Sequence, residues 1–244
     1  MEVSNSTEKS SSTTLNALID QLNKLKHFRI HTGNINTFVD LKLKRFTNSA
    51  EELKETFKLV LNNLPSNISV GDDGMLLLVD KKHCDNVYER EDLKITLKLF
   101  LEKFDYDYIK DAVVLRVWKE TENGLIAQRK VLYMGVADFQ LPELDLLFKK
   151  AVHKPGIVHV NPELQAYAKQ NSIQLLTHND PKPFPLKEVF HCFCEDKSDP
   201  DSSRICQTLF EPVWAARYTV WVRRRSLMAA KGFIVQFTAS DATK

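Results

Sequence analysis

Residues 162–181 of this chain read PELQAYAKQNSIQLLTHNDP, and this stretch narrows the choice of fold class. A proline at the start and apolar residues at helical spacing predict a helix over Pro162 to Gln170. The apolar run from Ile173 to Thr177 follows almost at once and predicts a buried strand. A helix that leads into a buried strand is the building unit of an α/β protein.

The same alternation extends outward along the chain. Helices are predicted over residues 53–64 and 142–152, and further strands over 28–34, 75–79, 93–100, 112–118, 131–136, 156–160 and 232–237. Strands that are apolar on both faces and separated by helices predict a parallel sheet covered by helices. About eight strands suit a (β/α)₈ TIM barrel, whose usual size is about 250 residues. A doubly wound open sheet is the alternative.

Composition excludes several classes of protein. Hydrophobic residues make up 43% of the 244 residues and charged residues 27%, an ordinary globular balance. The net charge of +2 does not indicate binding to nucleic acid or to an anionic membrane. No apolar run approaches the roughly 20 residues of a membrane span. Only 7 glycines occur, and neither glycine-rich phosphate motif is present, which argues against a Rossmann or P-loop enzyme.

The chain is predicted to form one domain. The Ser/Thr-rich residues 1–14 predict a disordered tail, and residues 15–244 are assigned to a single domain. Three nearby prolines and a charged Ser/Asp stretch predict an insertion over residues 182–203. No secretion or import signal is apparent, so the expected location is cytoplasmic, with reduced thiols.

The sequence predicts no metal site. Its single Cys/His cluster is His191-Cys192-Phe193-Cys194, with Cys206 downstream. A zinc site requires C-x₂-C pairs or two separated ligand pairs, and this spacing does not match.

Two polar groups are candidates for function. His178, Asn179 and Asp180 follow an apolar strand. His178 and Asp180 could act as acid and base, or these residues could cap the turn before a proline. The run from Arg223 to Arg225, beside Trp221, could bind a phosphate or an acidic partner, or form a solvated basic surface. The residue pattern leaves both alternatives open.

Residues 166–170 together with the IQLLTHNDP run at 173–181 closely resemble the regulatory (modifier) subunits of glutamate–cysteine ligase. Further matching positions are Thr32-Gly33-Asn34, Glu51-Glu52-Leu53, Arg90-Glu91, Trp214, Arg217-Tyr218 and Lys231-Gly232. That family is similar in fold to the aldo-keto reductases. The resemblance therefore implies a TIM barrel of aldo-keto reductase type, reduced at its C-terminus. It also places residues 212–229 in a helix before the last strand, although the β-branched Thr219, Val220 and Val222 suit a strand.

The resemblance implies a protein without reductase activity. Aldo-keto reductases use a constellation of Asp, Tyr, Lys and His, in which the Tyr donates a proton to the developing alkoxide. Lys98 looks like a relic of the reductase Lys. Arg116 and Val117 stand where the His is expected, and Asp80 is not followed by a Tyr at the required spacing. We therefore predict no catalytic residue and no bound cofactor.

The family instead implies a regulatory partner. Such a subunit forms a heterodimer with the catalytic subunit of glutamate–cysteine ligase, raises its affinity for glutamate and relieves feedback inhibition by glutathione. Both effects serve glutathione biosynthesis. The candidate contact residues are His178, Asn179, Asp180, Trp214, Arg217, Tyr218, Arg223, Arg224 and Arg225. Core packing is the alternative role for Trp214 and Tyr218.

Two rival hypotheses remain at this stage. The chain could be a divergent NADPH-dependent aldo-keto reductase that uses Lys98 with an unrecognised tyrosine such as Tyr133, or a barrel scaffold for another partner. One feature of animal relatives is missing. They carry adjacent cysteines in a longer loop before the region matching residues 161–164, so an intersubunit disulfide there cannot be carried over to this chain.

Overall fold

The computed structural model describes residues 18–63, 70–71, 74–77, 88–101, 127–128, 132–137, 139–159, 162–194 and 209–240. The chain divides into two compact units. The first combines Met1–Glu102 with Asp180–Lys244, and the second is Lys103–Asn179. Several predictions lie outside the described residues: the 1–14 tail, the 112–118 strand, part of the 182–203 insertion, and the positions Asp80, Arg116, Val117 and Cys206.

The strands, in chain order, are β1 His27–His31, β2 Met75–Leu77, β3 Leu93–Leu101, β4 Gly135–Val136, β5 Ile157–His159, β6 Gln174–Leu176, β7 Phe210–Val222 and β8 Leu227–Ala239. The α-helices are α1 Val39–Leu43, α2 Ser49–Asn62, α3 Leu141–Lys150, α4 Pro162–Gln170, α5 Leu186–Val189 and α6 His191–Cys194. Short 3₁₀ helices span Ile35–Thr37 and Arg90–Asp92. None of the helices described is long and apolar enough to cross a membrane.

The first unit is built on a five-stranded mixed sheet with the order β2-β1-β8-β7-β3. Only the β1–β2 pair is parallel; β1–β8, β7–β8 and β3–β7 are antiparallel. The long strands β7 and β8 form a hairpin of 13 residues a side, rich in the β-branched and aromatic residues that favour strands. This hairpin is the centre of the unit.

Aromatic side chains fill the core on one face of this sheet. Phe28 of β1 stacks on Phe237 of β8 with ring centroids 4.8 Å apart, and Phe210 of β7 meets Phe28 edge-on at the same distance. Helix α2 supplies Phe57, which packs on Phe190 at 4.6 Å. Burying rings of this size contributes about 1.5–3 kcal/mol each, so this layer is a substantial part of the apolar core of the unit.

Helix α2 covers that face because its sequence has an N-terminal capping residue and apolar residues at helical spacing. The Asn48 side chain accepts hydrogen bonds from the backbone N–H groups of Ala50 and Glu51, which caps the helix. Leu53, Phe57 and Val60 recur at helical spacing and are fully or almost fully buried. The predicted 53–64 helix is thus confirmed, with its start one turn earlier.

The second unit contains a three-stranded parallel sheet with the order β4-β5-β6. Helix α3 starts with a capping box in which Gln140 and Glu143 exchange side-chain to backbone hydrogen bonds. Leu144 of α3 and Leu164 of α4 are buried with Val158 of β5 in a separate apolar core. These elements confirm the helix–strand alternation predicted from residues 142–177.

The predicted TIM barrel is wrong. The described strands form one mostly antiparallel sheet and one small parallel sheet, and they do not close into a barrel. The error has a physical origin in β3, which the sequence pattern predicts to be buried on both faces. Its outward residues Ile95, Leu97 and Leu99 are 50%, 63% and 46% exposed, and they alternate with Lys94, Thr96 and Lys98. The strand is therefore not covered by apolar packing on both faces.

The helix that the resemblance placed over residues 212–229 is also wrong. Those residues form most of β7, the turn from Arg223 to Ser226 and the first residues of β8. The β-branched residues of this segment favour the strand, as their propensity indicates. A four-residue turn cannot make the crossover that parallel strands require, so β7 and β8 pair antiparallel.

Candidate functional site

A charged cluster lies on the helix-covered face of the five-stranded sheet, beyond the aromatic core. Residues paired across antiparallel strands point to the same face, and Lys98 of β3 is paired with Arg217 of β7, which is paired with Phe233 of β8. Phe233 is fully buried. Alternation along each strand puts Lys231 on this same face. Toward one end of the sheet, Lys98, Arg217 and Lys231 therefore occupy the face that aromatic side chains cover elsewhere.

Glu52 is the centre of this cluster. It lies in the first turn of α2 and is buried, with 3% of its surface exposed. Arg217 donates to its Oε2 from Nε at 3.0 Å, and the Lys231 ammonium donates to its Oε1. A buried carboxylate between two cations is compensated, whereas its removal leaves both cations without a counter-charge. Glu52 thus fixes the N-terminal end of α2 to β7 and β8.

Asp180 is the second carboxylate of this cluster, and it also contacts the start of α2. Its Oδ1 accepts a hydrogen bond from the Ser49 backbone N–H at 2.8 Å, and its Oδ2 accepts from Lys98. Burial raises the pKa of this carboxyl, but the hydrogen bonds from Lys98 and Ser49 outweigh it and hold the pKa below its ordinary value. Asp180 is therefore ionised, and it links Lys98 of β3 to the start of α2. This geometry gives it a structural role and does not test the predicted role as acid or base.

Replacing Asp180 with asparagine is expected to change the dependence of stability on pH. A carboxyl whose pKa is depressed on folding stabilises the protein above its unfolded pKa, near 4, and loses that contribution as the pH falls through the folded value. The wild type should be about 1–2 kcal/mol more stable than Asp180→Asn at pH 7. Urea titrations between pH 7 and pH 3 should show this difference shrinking below about pH 4. A constant difference would contradict the role assigned to Asp180.

Tyr218 and His31 form a third polar group, on the opposite face of the sheet. The Tyr218 hydroxyl donates to the Gly33 carbonyl at 2.7 Å, and His31 Nε2 lies 3.2 Å from the same hydroxyl. Because the hydroxyl has one proton, we assign the His31 Nε2–H as the donor of the second bond. Burial lowers the pKa of His31, so the ring is neutral at pH 7. Tyr218 reaches Gly33 by lying across Gly232, which has no side chain.

Five further candidates lie at the β7–β8 turn and after the end of β6. Arg223, Arg224 and Arg225 are all exposed, and Arg224 faces Asp92 at 3.6 Å. His178 and Asn179 follow β6 in the second unit, where Asn179 is exposed and His178 is half-buried. The structure brings together Asp180 and Lys98, and Arg217 with Glu52, but not all nine candidates. Trp214 is partly buried in β7.

Sequence reasoning missed Glu52, Lys231 and Ser49 as members of the charged cluster. Glu52 and Lys231 both belong to matching runs of the family resemblance, which is a signal that could have singled them out. Glu52 also stands at a core-facing position, one residue before Leu53 and four before Thr56, where a carboxylate requires a partner. Only the fold reveals that β7 and β8 supply that partner.

The structure also bears on metal and reductase chemistry. No group of three or more potential metal-ligating side chains gathers among the residues that the structure describes. Lys98, assigned as a relic of the reductase Lys, is paired with Asp180 in the first unit. Tyr133, the proton donor of the rival hypothesis, is 75% exposed and belongs to the second unit.

The named relatives of this chain belong to one family. No family profile matches the chain, and no solved structure matches it. The chain is 30% identical over 257 residues to the glutamate–cysteine ligase regulatory subunit of Rattus norvegicus, covering 85% of this chain and 91% of that protein. It is 29% identical over 264 residues to the regulatory subunit of Homo sapiens, covering 88% and 94%.

These names confirm the resemblance and indicate a regulatory rather than a catalytic subunit. The further likeness to aldo-keto reductases is not supported by the sheets described above. At 30% identity over nearly the whole length of both proteins, the chain belongs to the family of glutamate–cysteine ligase regulatory subunits.

Proposed function

We propose that this protein binds the catalytic subunit of glutamate–cysteine ligase as a heterodimer, raises its affinity for glutamate and weakens its inhibition by glutathione. The observation that carries the proposal is the match to named regulatory subunits over 85% of the chain. We place the pair in the cytoplasm, since four sparse cysteines are typical of proteins from reducing compartments.

Regulation of this kind is a coupling free energy between two binding events. This protein must contact one conformation of the catalytic subunit better than another. A tenfold change in glutamate affinity requires only about 1.4 kcal/mol of such differential contact. A few well-placed side chains on an exposed surface are therefore sufficient.

The exposed arginines at the β7–β8 turn are the candidates best placed for direct contact. Arginine is enriched at protein interfaces, and none of Arg223, Arg224 and Arg225 is buried. His178, Asn179 and Trp214 stay predictions as contact residues. Asp180, Arg217 and Tyr218 have bonds within the first unit, so they would act by holding the contact surface in place.

Steady-state kinetics test the proposal directly. Purified catalytic subunit is assayed over a range of glutamate concentrations, at fixed glutathione, with and without an excess of this protein. We expect the apparent KM for glutamate to fall about fivefold or more, which corresponds to about 1 kcal/mol of coupling. Inhibition by glutathione should weaken in parallel.

An equal mass of serum albumin serves as the control for non-specific stabilisation of the catalytic subunit. Unchanged glutamate KM and unchanged glutathione inhibition, with both proteins folded and in excess, would reject the proposed function. Carbonyl-dependent oxidation of NADPH by this protein alone would favour the reductase hypothesis instead.

A further inference from the structure

An open pocket of about 440 Å³ lies at the end of the five-stranded sheet, next to the β7–β8 turn. Its walls come from two neighbouring strands and the turn, because Lys94 of β3 is directly paired with Trp221 of β7. The residues that line it are Lys94, Thr96, Trp221, Val222, Arg223 and Ser226. Lys94 and Thr96 alternate with the outward apolar residues of β3, so they lie on the side of the sheet that carries Lys98.

Two cations line this pocket. Lys94 and Arg223 are exposed, and neither makes an ion pair in the part of the chain that the structure describes. The acidic residue before β3, Asp92, faces Arg224 instead. Asp92 does fix the turn through its backbone carbonyl, which accepts a hydrogen bond from the Arg223 N–H at 2.8 Å. The pocket is therefore anchored in the fold, and its described lining residues carry two positive charges and no carboxylate.

The other walls suit a protein partner. Trp221 is 36% exposed, and Thr96 and Ser226 line the same pocket with hydroxyl groups. Tryptophan and arginine dominate the residues that carry binding energy at protein interfaces. Pockets for small molecules bury most of the ligand, typically 70–90% of its surface. With five of its six wall residues exposed, this pocket cannot enclose a small ligand, but it can receive a protruding side chain.

We propose that this pocket receives an acidic segment of the catalytic subunit. A carboxylate of that segment would lie between Lys94 and Arg223, and a neighbouring apolar side chain would pack on Trp221. The inference rests on the proposed function and adds to it the site of contact and the chemistry of the partner. Complementary charge of this kind sets the association rate and its dependence on salt.

The test compares two double variants that change the net charge equally. Lys94→Glu/Arg223→Glu reverses the pocket, and Lys42→Glu/Lys54→Glu reverses two exposed lysines of α1 and α2. Binding to the catalytic subunit is measured by surface plasmon resonance at 50, 150 and 400 mM NaCl. A third variant, Trp221→Ala, removes the indole without changing the charge. Circular dichroism and thermal unfolding establish that each variant is folded.

We expect the pocket variant to bind at least tenfold more weakly than the wild type, with a flatter dependence of Kd on salt. The lysine control should stay within about threefold of the wild type, and Trp221→Ala should lose about tenfold with the salt dependence retained. If the wild type binds and regulates but the pocket variant matches the lysine control, the inference is overturned while the proposed function stands. If the wild type neither binds nor changes the kinetics, the proposed function itself fails, and the inference fails with it.

Discussion

Replacing Glu52 with glutamine is expected to lower the free energy of unfolding of the first unit by about 3 kcal/mol. The carboxylate is buried and compensates both Arg217 and Lys231, and an amide can accept a hydrogen bond but cannot supply the charge. Loss of one partner from a fully buried ion pair costs about 3–5 kcal/mol. We take the lower end, because 27% of the Arg217 side chain and 16% of the Lys231 side chain remain in contact with water.

The measurement must report on the first unit alone, since the chain forms two compact units. Trp214 and Trp221 lie in the first unit, so urea unfolding followed by fluorescence in a Trp118→Phe background isolates it. Glu55→Gln is the matched control on the same helix. Glu55 pairs with Lys44 at the surface, and its replacement should cost well under 1 kcal/mol.

The two cations offer a further check on the role of Glu52. If the loss comes from uncompensated charge, replacing Arg217 and Lys231 with methionine in the Glu52→Gln background should recover part of it. A Glu52→Gln variant within about 1 kcal/mol of the wild type would show that water screens the cluster, and the structural role assigned to Glu52 would be wrong.

Replacing Gly232 with alanine is expected to cost about 3 kcal/mol or more. A Cβ atom at this position would lie 2.2 Å from the Gly33 carbonyl oxygen and 2.5 Å from the Tyr218 hydroxyl. The Tyr218 side chain can rotate away, but the Gly33 carbonyl belongs to the backbone beside β1. The β1–β8 pairing must therefore shift to accept a single methyl group.

Thermal unfolding followed by circular dichroism measures the effect of this change. Gly156→Ala is the control, since its Cβ would meet Tyr133 at 3.7 Å, an ordinary contact, and stability should change by less than about 1 kcal/mol. Combining Tyr218→Ala with Gly232→Ala should not restore stability, because the clash with the Gly33 carbonyl remains. An alanine variant as stable as the wild type would contradict the close approach of β7, β8 and the chain after β1.

Local elements of this fold could be predicted from the sequence, but their pairing could not. The α3, α4 and α2 helices follow from proline positions and apolar spacing, and the strands β1, β3, β5 and β6 follow from apolar runs. The same residue types favour strands in parallel and in antiparallel sheets, so they do not indicate which pairing forms. The decisive β7–β8 turn contains Arg223, Arg224, Arg225 and Ser226, without the Asn-Gly or Asp-Gly pair that usually identifies a hairpin.

The candidate site was predictable only in part, for a related reason. The exposed arginines and the Thr177–Asp180 region could be found as polar runs along the chain. The charged cluster could not, because Glu52, Lys98, Arg217 and Lys231 meet only through the order of strands in the sheet. Lys94 and Trp221 likewise become one pocket only when β3 pairs with β7.

The ion pair between Lys98 and Asp180 indicates how the second unit could be deleted from this protein. Lys98 stands four residues before the end of the first chain segment of its unit, and Asp180 opens the second segment. Phe100 and Phe184 stack on each other at 3.9 Å just beyond the same junction. The 77 residues from Lys103 to Asn179 thus leave and re-enter the first unit at neighbouring points. The segment is therefore an insertion in the first unit. Replacing it with a short flexible linker would join the two chain segments of the first unit at a small cost in chain entropy, because the ends to be joined lie close together.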